Sequence, residues 1–299
     1  MKNETFSRSL PPAVSLRERC QDLAALTKAR LVSLVLLSVA AGYALASQGP
    51  VNGLHFVLTL SGAALVAAGS MVLNEWIERE VDAKMVRTQN RPIPAGKISP
   101  LDAVLVGSGF FVSGGWLLYS AVNAAASFLA VLTTVIYLVF YTPLKKKTSL
   151  CTIVGAVSGA LPPLIGWAAV RGVPNYHAWL LFTILFLWQM PHFLALDWIY
   201  RKDFAAAGFQ MLSVHDPSGE RVGRQFLIYS SALFSVSLLP ALAGMAGPFY
   251  FLSALILGML LVWLAFCGMK NMDAEARTLF RYSIIHLTLL LLLMVIDKV

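Results

Sequence analysis

Asn74, Glu78 and Asp82 follow one another in four-residue steps, which on a helix sets three oxygen-bearing side chains in one stripe. An amide and two carboxylates in line are ligand chemistry for a hard divalent cation such as Mg2+, which takes carboxylate, water and phosphate oxygens. Arg87 and Arg91 follow at once, suited to the other side of a phosphate. The apolar run 54–73 in front of them is long enough to enter a bilayer. Ionisable groups at the end of a membrane helix are costly to bury and are usually retained for chemistry. A metal-bound diphosphate held at a membrane surface is the chemistry this pattern describes. The alternative is a solvated helix end in which Arg79 and Lys84 pair with the acids. Strict four-residue steps of one amide and two acids serve no purpose there. Glu80 falls on the opposite side of the helix and fits a salt bridge as well as a role in the site.

The elements that must position these residues are membrane helices. At 58% hydrophobic and 13% charged, the 299-residue chain is far too apolar for an ordinary soluble domain. Nine segments of spanning length are predicted at 31–47, 54–74, 101–120, 123–141, 150–170, 177–197, 226–244, 247–268 and 279–297. Helices satisfy their own backbone polarity in lipid, so the expected fold class is an all-α polytopic membrane protein. The short gaps leave no room for a second globular domain. The expected organisation is a cytoplasmic N-terminal segment, 1–30, followed by one nine-helix transmembrane domain, 31–299. Threading the chain from a cytoplasmic N-terminus puts all of the 23 basic residues except Arg171 and Lys298 on the inner side, as positive-inside topology requires. The net charge of +8 is therefore an orientation signal, and no soluble basic domain exists to bind nucleic acid. The first thirty residues contain acids and no early apolar core, unlike a signal or transit peptide, which favours a bacterial inner membrane. Cys20, Cys151 and Cys267 show no metal-binding spacing.

Two inner loops are long and polar, 74–100 and about 197–224; the second holds Arg201, Lys202, Asp203, His215, Asp216, Glu220 and Arg221. A third, short one carries Lys145, Lys146 and Lys147, which serve topology and lipid headgroups as readily as a diphosphate. His192 follows Pro191 inside the sixth segment, where a kink is expected, and reads either as a ligand contact or as a buried histidine bonded to a neighbouring helix. His286, in the last segment, takes the same two readings. Pro162 and Pro163, with Gly155, Gly159 and Gly166, are expected to break the fifth helix and let helices approach closely.

The stripe resembles the first Asn-x3-Asp-x3-Asp motif of the UbiA-type intramembrane prenyltransferases. Further segments narrow the resemblance to the protohaem IX farnesyltransferases (haem O synthases): Pro162-Pro163-Leu164-x-Gly166-Trp167 and Trp188-Gln189-x-Pro191-His192-Phe193 are the most specific. The stretches 26–34, 141–148 and 276–280, and Asp203-Phe204 with Ala207-Gly208, extend it in order over residues 26 to about 290. Glu78 and Glu80 stand where the family often has Asp, Ala29 where it has Pro, and Cys151 where it has Asn. The superfamily's second motif has two acids four residues apart; here Asp197 and Asp203 are six apart, which leaves Asp203 as the carried-over acid and Asp197 as a helper.

The resemblance implies a UbiA-type bundle and a specific reaction. Mg2+ held by Asn74, Glu78, Asp82 and Asp203 would bridge the diphosphate of farnesyl diphosphate, with Lys84, Arg87, Arg91, Lys145 and Lys202 adding positive charge and His192 contacting haem b. An allylic cation, captured by a haem vinyl carbon with water addition, would give haem O. Partners implied are haem b, farnesyl diphosphate, the lipid bilayer, and a haem A synthase or terminal oxidase assembly. Two other readings remain: prenylation of an aromatic acid in quinone synthesis, and a transporter without chemistry. A transporter would place its acids near the membrane midplane, whereas here they gather at one surface.

Overall fold

A computed structural model describes residues 16–299. The part of the 1–30 segment before Leu16, with Lys2 and Arg8, lies outside the described residues, as do the side chains of Arg19 and Cys20. A surface helix, α1 (Leu16–Leu26), precedes α2 (Ala29–Ala46), α3 (Gly53–Asp82), α4 (Pro100–Ala121), α5 (Ala124–Leu144), α6 (Cys151–Arg171) and α7 (Tyr176–Ile199). A short α8 (Arg201–Ala206) leads to α9 (Glu220–Leu242), α10 (Pro248–Lys270) and α11 (Met272–Ile296). Nine of these, α2 to α7 and α9 to α11, are long and apolar enough to cross a membrane among the described residues.

Local sequence sets the ends. Asn52, Ser99, Asn123, Asn175 and Asn271 each accept a backbone N–H of the turn that follows, so five spanning helices begin on a side-chain cap. Pro100 in the first turn of α4 costs no hydrogen bond there. α3 has 30 residues, about 45 Å at 1.5 Å per residue, against a hydrocarbon core of about 30 Å. Its last turns therefore carry Asn74, Glu78 and Asp82 beyond the apolar layer without leaving helical register. α6 is broken at Leu161 into Cys151–Ala160 and Pro162–Arg171, as the two prolines predict. Pro191, by contrast, lies inside α7 without dividing it.

α3 packs along α4, α2 along the second half of α6, and α10 between α9 and α11; α7 contacts α6, α9 and α11. Close approach depends on glycine. A methyl on Gly42 would overlap the carbonyl of Pro163, and one on Gly166 the carbonyl of Val39, so α2 and α6 meet backbone to backbone. The outward faces are apolar: Phe249, Leu252, Ile256, Met259 and Trp263 of α10 are exposed while Tyr250, Ala254, Gly258 and Leu261 are buried. An exposed apolar belt of this extent fits lipid and not water.

At the end of the bundle away from Asp82 the helices are tied by polar contacts. Arg171 Nε donates to the carbonyl of Ala46 at 2.7 Å. Lys298 Nζ donates to Ala44 at 2.8 Å and also to Ser47. Two basic side chains thus cap the C-terminal carbonyls of α2, where cations are favoured. Asp297 accepts the N–H of Tyr250 at 2.7 Å and joins α11 to α10.

Candidate active site

A cavity of about 390 Å3 opens between α2, α3, α5, α6, α7 and α11. Asn74, Glu78, Asp82, Arg87, Arg91 and Lys145 line its polar end; Val66, Ala130, Ile165, Leu185 and Leu287 line its apolar interior. The four-residue stripe on α3 thus faces one space, and Asn74, Glu78 and Asp82 are 1%, 7% and 1% exposed, far from a solvated helix end.

Each member of the stripe has a nitrogen partner. Lys28 Nζ lies 3.1 Å from Asn74 Oδ1, Lys145 Nζ 2.8 Å from Glu78 Oε1, and Arg91 Nη1 2.5 Å from Asp82 Oδ2. Asn74 donates in turn to Thr142 Oγ1 at 3.2 Å, and Thr142 donates to the carbonyl of Tyr137 at 2.9 Å. Asp82 Oδ1 is buried with no partner. Lys145 also lies 4.6 Å from the ring centroid of Tyr141 and 5.7 Å from that of Phe209. Burial pulls its pKa down, but Glu78, Tyr137 and Asp82 together outweigh this and hold the ammonium above its ordinary range. Lys28 is different: burial and then Arg91 pull it down to about 7, against a smaller upward pull from Glu78.

Loop geometry explains how the donors arrive. Lys28 takes a left-handed conformation, φ 50° and ψ 50°, between α1 and α2, at a cost of about 1 kcal/mol for a residue with a Cβ. Glu75, fully buried, accepts the N–H of Ile93 at 3.2 Å and so pins the loop that carries Arg91. A π-helical turn over Ile136–Tyr141 ends the regular part of α5, a distortion frequent at functional sites. It stacks Tyr137 and Tyr141, both lining the cavity, with centroids 5.6 Å apart.

The deeper wall holds His192. Its Nδ1 is 2.9 Å from Ser283 Oγ, and Ser283 donates its own proton to the carbonyl of Phe280 at 2.7 Å. Nδ1–H therefore donates to Ser283, leaving the Nε2 lone pair for the cavity the ring lines. Trp188 and Phe280 stack on the imidazole at 4.9 and 4.7 Å. His286 is fully buried, lies 5.9 Å from Tyr282 and does not line this cavity.

Three residues expected at the site from the sequence are placed elsewhere. Lys84 and Lys202 are exposed and do not line the cavity, because one follows the last turn of α3 and the other sits on the outer side of α8. Asp203 does not line it either; it acts on Arg87, an exposed residue whose guanidinium is pulled below its usual range by partial desolvation and Arg91, while Tyr200, Asp82 and Asp203 oppose the shift. Asp197, at the end of α7, is 6% exposed, lines the cavity and accepts the backbone N–H of Ser213 at 3.0 Å and its hydroxyl. Cys151 is buried among Phe204, Phe209 and Met211, a packing position. Lys28, Thr142, Tyr137 and Tyr141 are members of the site that the sequence did not single out. For Lys28 the available signal was a basic residue one position before the first spanning helix.

Among the described residues, no three His, Cys, Asp or Glu side chains are grouped so as to hold a metal by themselves. Asn74, Glu78 and Asp82 fit a hard divalent cation whose remaining positions are filled by water and phosphate oxygens. The orphaned Asp82 Oδ1 supplies one free, buried oxygen for it.

The model of the UbiA prenyltransferase family matches residues 35–290. Relatives named protoheme IX farnesyltransferase include that of Opitutus terrae, 42% identical over 93% of this chain and 94% of its own length. That of Solibacter usitatus is 40% identical over 93% and 99%. Among solved structures, a digeranylgeranylglyceryl phosphate synthase superposes with a TM-score of 0.78 at 18% identity, over 94% of this chain and 98% of that one. A UbiA homolog from Archaeoglobus fulgidus bound to DMAPP and Mg2+ gives 0.65 at 16%, over 92% and 99%. At these identities the structures establish the fold, and the sequence relatives the family. The chain is a multi-pass membrane protein of the UbiA prenyltransferase family, grouped by its relatives with the protoheme IX farnesyltransferases.

Proposed function

We propose that the chain transfers farnesyl from farnesyl diphosphate to a vinyl group of haem b, with addition of water, giving haem O and diphosphate. One observation carries the reading: a single cavity joins a cluster of buried carboxylates and cations to an apolar interior lined by His192. The diphosphate lies among Arg87, Arg91, Lys28 and Lys145, and the farnesyl tail runs between α2, α3 and α5. Asn74, Glu78 and Asp82 would hold Mg2+, which supplies charge stabilisation for the departing diphosphate. Arg91 and Lys145, fixed in place before the bond breaks, stabilise the same developing charge. The farnesyl C1–O bond breaks, the vinyl carbon bonds to C1, water adds to the resulting cation, and a proton is released. The aromatic faces of Tyr137 and Tyr141 suit an allylic cation in transit. The apolar interior keeps water from it until capture. Ser283 holds His192 in one tautomer toward haem, and Asp203 acts indirectly, by tuning Arg87.

A single prenyltransferase domain, 31–299, set in a bacterial inner membrane with the charged end cytoplasmic, fits the distribution of basic residues. Haem O would pass to a haem A synthase or terminal oxidase assembly in the same membrane. The test is incubation of purified protein with haem b, farnesyl diphosphate and Mg2+, with and without chelator, followed by mass analysis of the haem. The expected gain is one farnesyl plus one water, lost with chelator. Unmodified haem together with a prenylated 4-hydroxybenzoate would favour the quinone-type reaction instead.

A further inference from the structure

The three oxygens of the α3 stripe are held by donors from three separate connections: Lys28 before α2, Arg91 after α3 and Lys145 after α5. The two ionic pairs are closely balanced. Glu78 and Lys145 are both nearly buried, and Asp82 is buried against an Arg91 that is 20% exposed. A divalent cation arriving alone finds Asp82 Oδ1 free. To engage both carboxylates, however, it competes with Lys145 and Arg91 for their charge, and so weakens the pairing of a nearly buried ammonium and a part-buried guanidinium. Breaking a buried pair in that way is strongly unfavourable. A diphosphate arriving with the metal gives both cations new anionic partners at once.

Resting on the prenyl-diphosphate reading above, we propose that Lys145 and Arg91 are resident counter-ions that neutralise the metal's two carboxylates until a diphosphate claims them, making metal and diphosphate binding strongly coupled. Two further observations fit this arrangement. No group of three His, Cys, Asp or Glu ligands stands ready for a metal among the described residues. The faces of Tyr141 and Phe209 already contact the Lys145 ammonium beside its bond to Glu78, and these contacts stay in place when Glu78 is taken. Coupling of this kind is reciprocal: the diphosphate tightens the metal by the same factor as the metal tightens the diphosphate.

The experiment reads Mn2+ binding to the full chain in micelles by electron paramagnetic resonance, with haem b omitted so that no transfer occurs. Wild type is expected to bind Mn2+ at least about tenfold more tightly with farnesyl diphosphate than without. Lys145→Met is expected to bind Mn2+ alone more tightly than wild type and to lose most of the gain from farnesyl diphosphate. Arg91→Met, which frees Asp82, gives the same pattern and stands in if the first variant does not fold. Lys145→Arg, which preserves the charge, keeps the coupling. Equal Mn2+ affinity with and without farnesyl diphosphate, or Mn2+-only affinity unchanged in both methionine variants, overturns the counter-ion role and leaves the diphosphate site standing. No Mn2+ binding to wild type even with farnesyl diphosphate overturns both.

Discussion

Replacing Glu78 by glutamine keeps the side-chain shape and removes its charge, stranding the Lys145 ammonium that lies 2.8 Å away and is 8% exposed. Removing one partner of a buried pair costs about 3–5 kcal/mol. The rings of Tyr141 and Phe209, both within cation–π range of Lys145 Nζ, return about 1–2 kcal/mol. The net expectation for Glu78→Gln is therefore a loss of roughly 1–4 kcal/mol. Adding Lys145→Met removes the stranded charge, so the double variant recovers most of the stability. Turnover behaves differently: Glu78→Gln removes an oxygen from the metal and lowers the rate by about 10²-fold or more, and the double variant does not regain it. Unfolding midpoints in detergent micelles give the first quantity, and mass analysis of farnesylated haem gives the second. A Glu78→Gln protein as stable as wild type, or a double variant less stable than the single, refutes the charge-pair reasoning. Unchanged turnover refutes the metal role.

Asp197→Asn lowers turnover by at least about tenfold, because it disturbs a carboxylate that lines the cavity and fixes Ser213; Asp203→Asn, outside the cavity, changes it less, and steady-state kinetics on the two variants decide the order. Gly42→Ala forces a methyl against the Pro163 carbonyl and costs about 1–3 kcal/mol, read as a lower unfolding midpoint with the substrate affinity of the surviving folded protein retained. Lys28, ordinarily near 10.5, titrates at about 7 in the folded protein. Between those values the unfolded chain binds the proton and the folded chain does not, so stability contributed by this group rises with pH across that window. Lys28→Met flattens the rise, measurable as unfolding midpoints from pH 7 to 10.

Nine spanning helices were legible because each is an apolar run of bilayer length, and all nine are present among the described residues. Their ends were less so. Segment 54–74 continues to Asp82, and 279–297 begins at Met272, because caps such as Asn271, and not hydropathy, set where a helix starts once it leaves lipid. The stripe on α3 was readable for a related reason: its four-residue steps lie within one helix. Asp197 and Asp203 were not, since Asp197 ends α7 and Asp203 belongs to α8, and a spacing measured along the chain loses its meaning where the helix changes axis. Lys28 was counted as a topology charge, and only a left-handed turn brings it to Asn74.

The carbonyl-capping contacts of Arg171 and Lys298, together with Asp297 on Tyr250, have a mechanical consequence. They fasten α2, α6, α10 and α11 at one end, while the cavity and its separable ion pairs occupy the other. Rods pinned at one end move as levers: displacement grows with distance from the pin. The fastened end therefore holds its helix spacing, and the charged end, where the cavity lies, is the one with the longer arm.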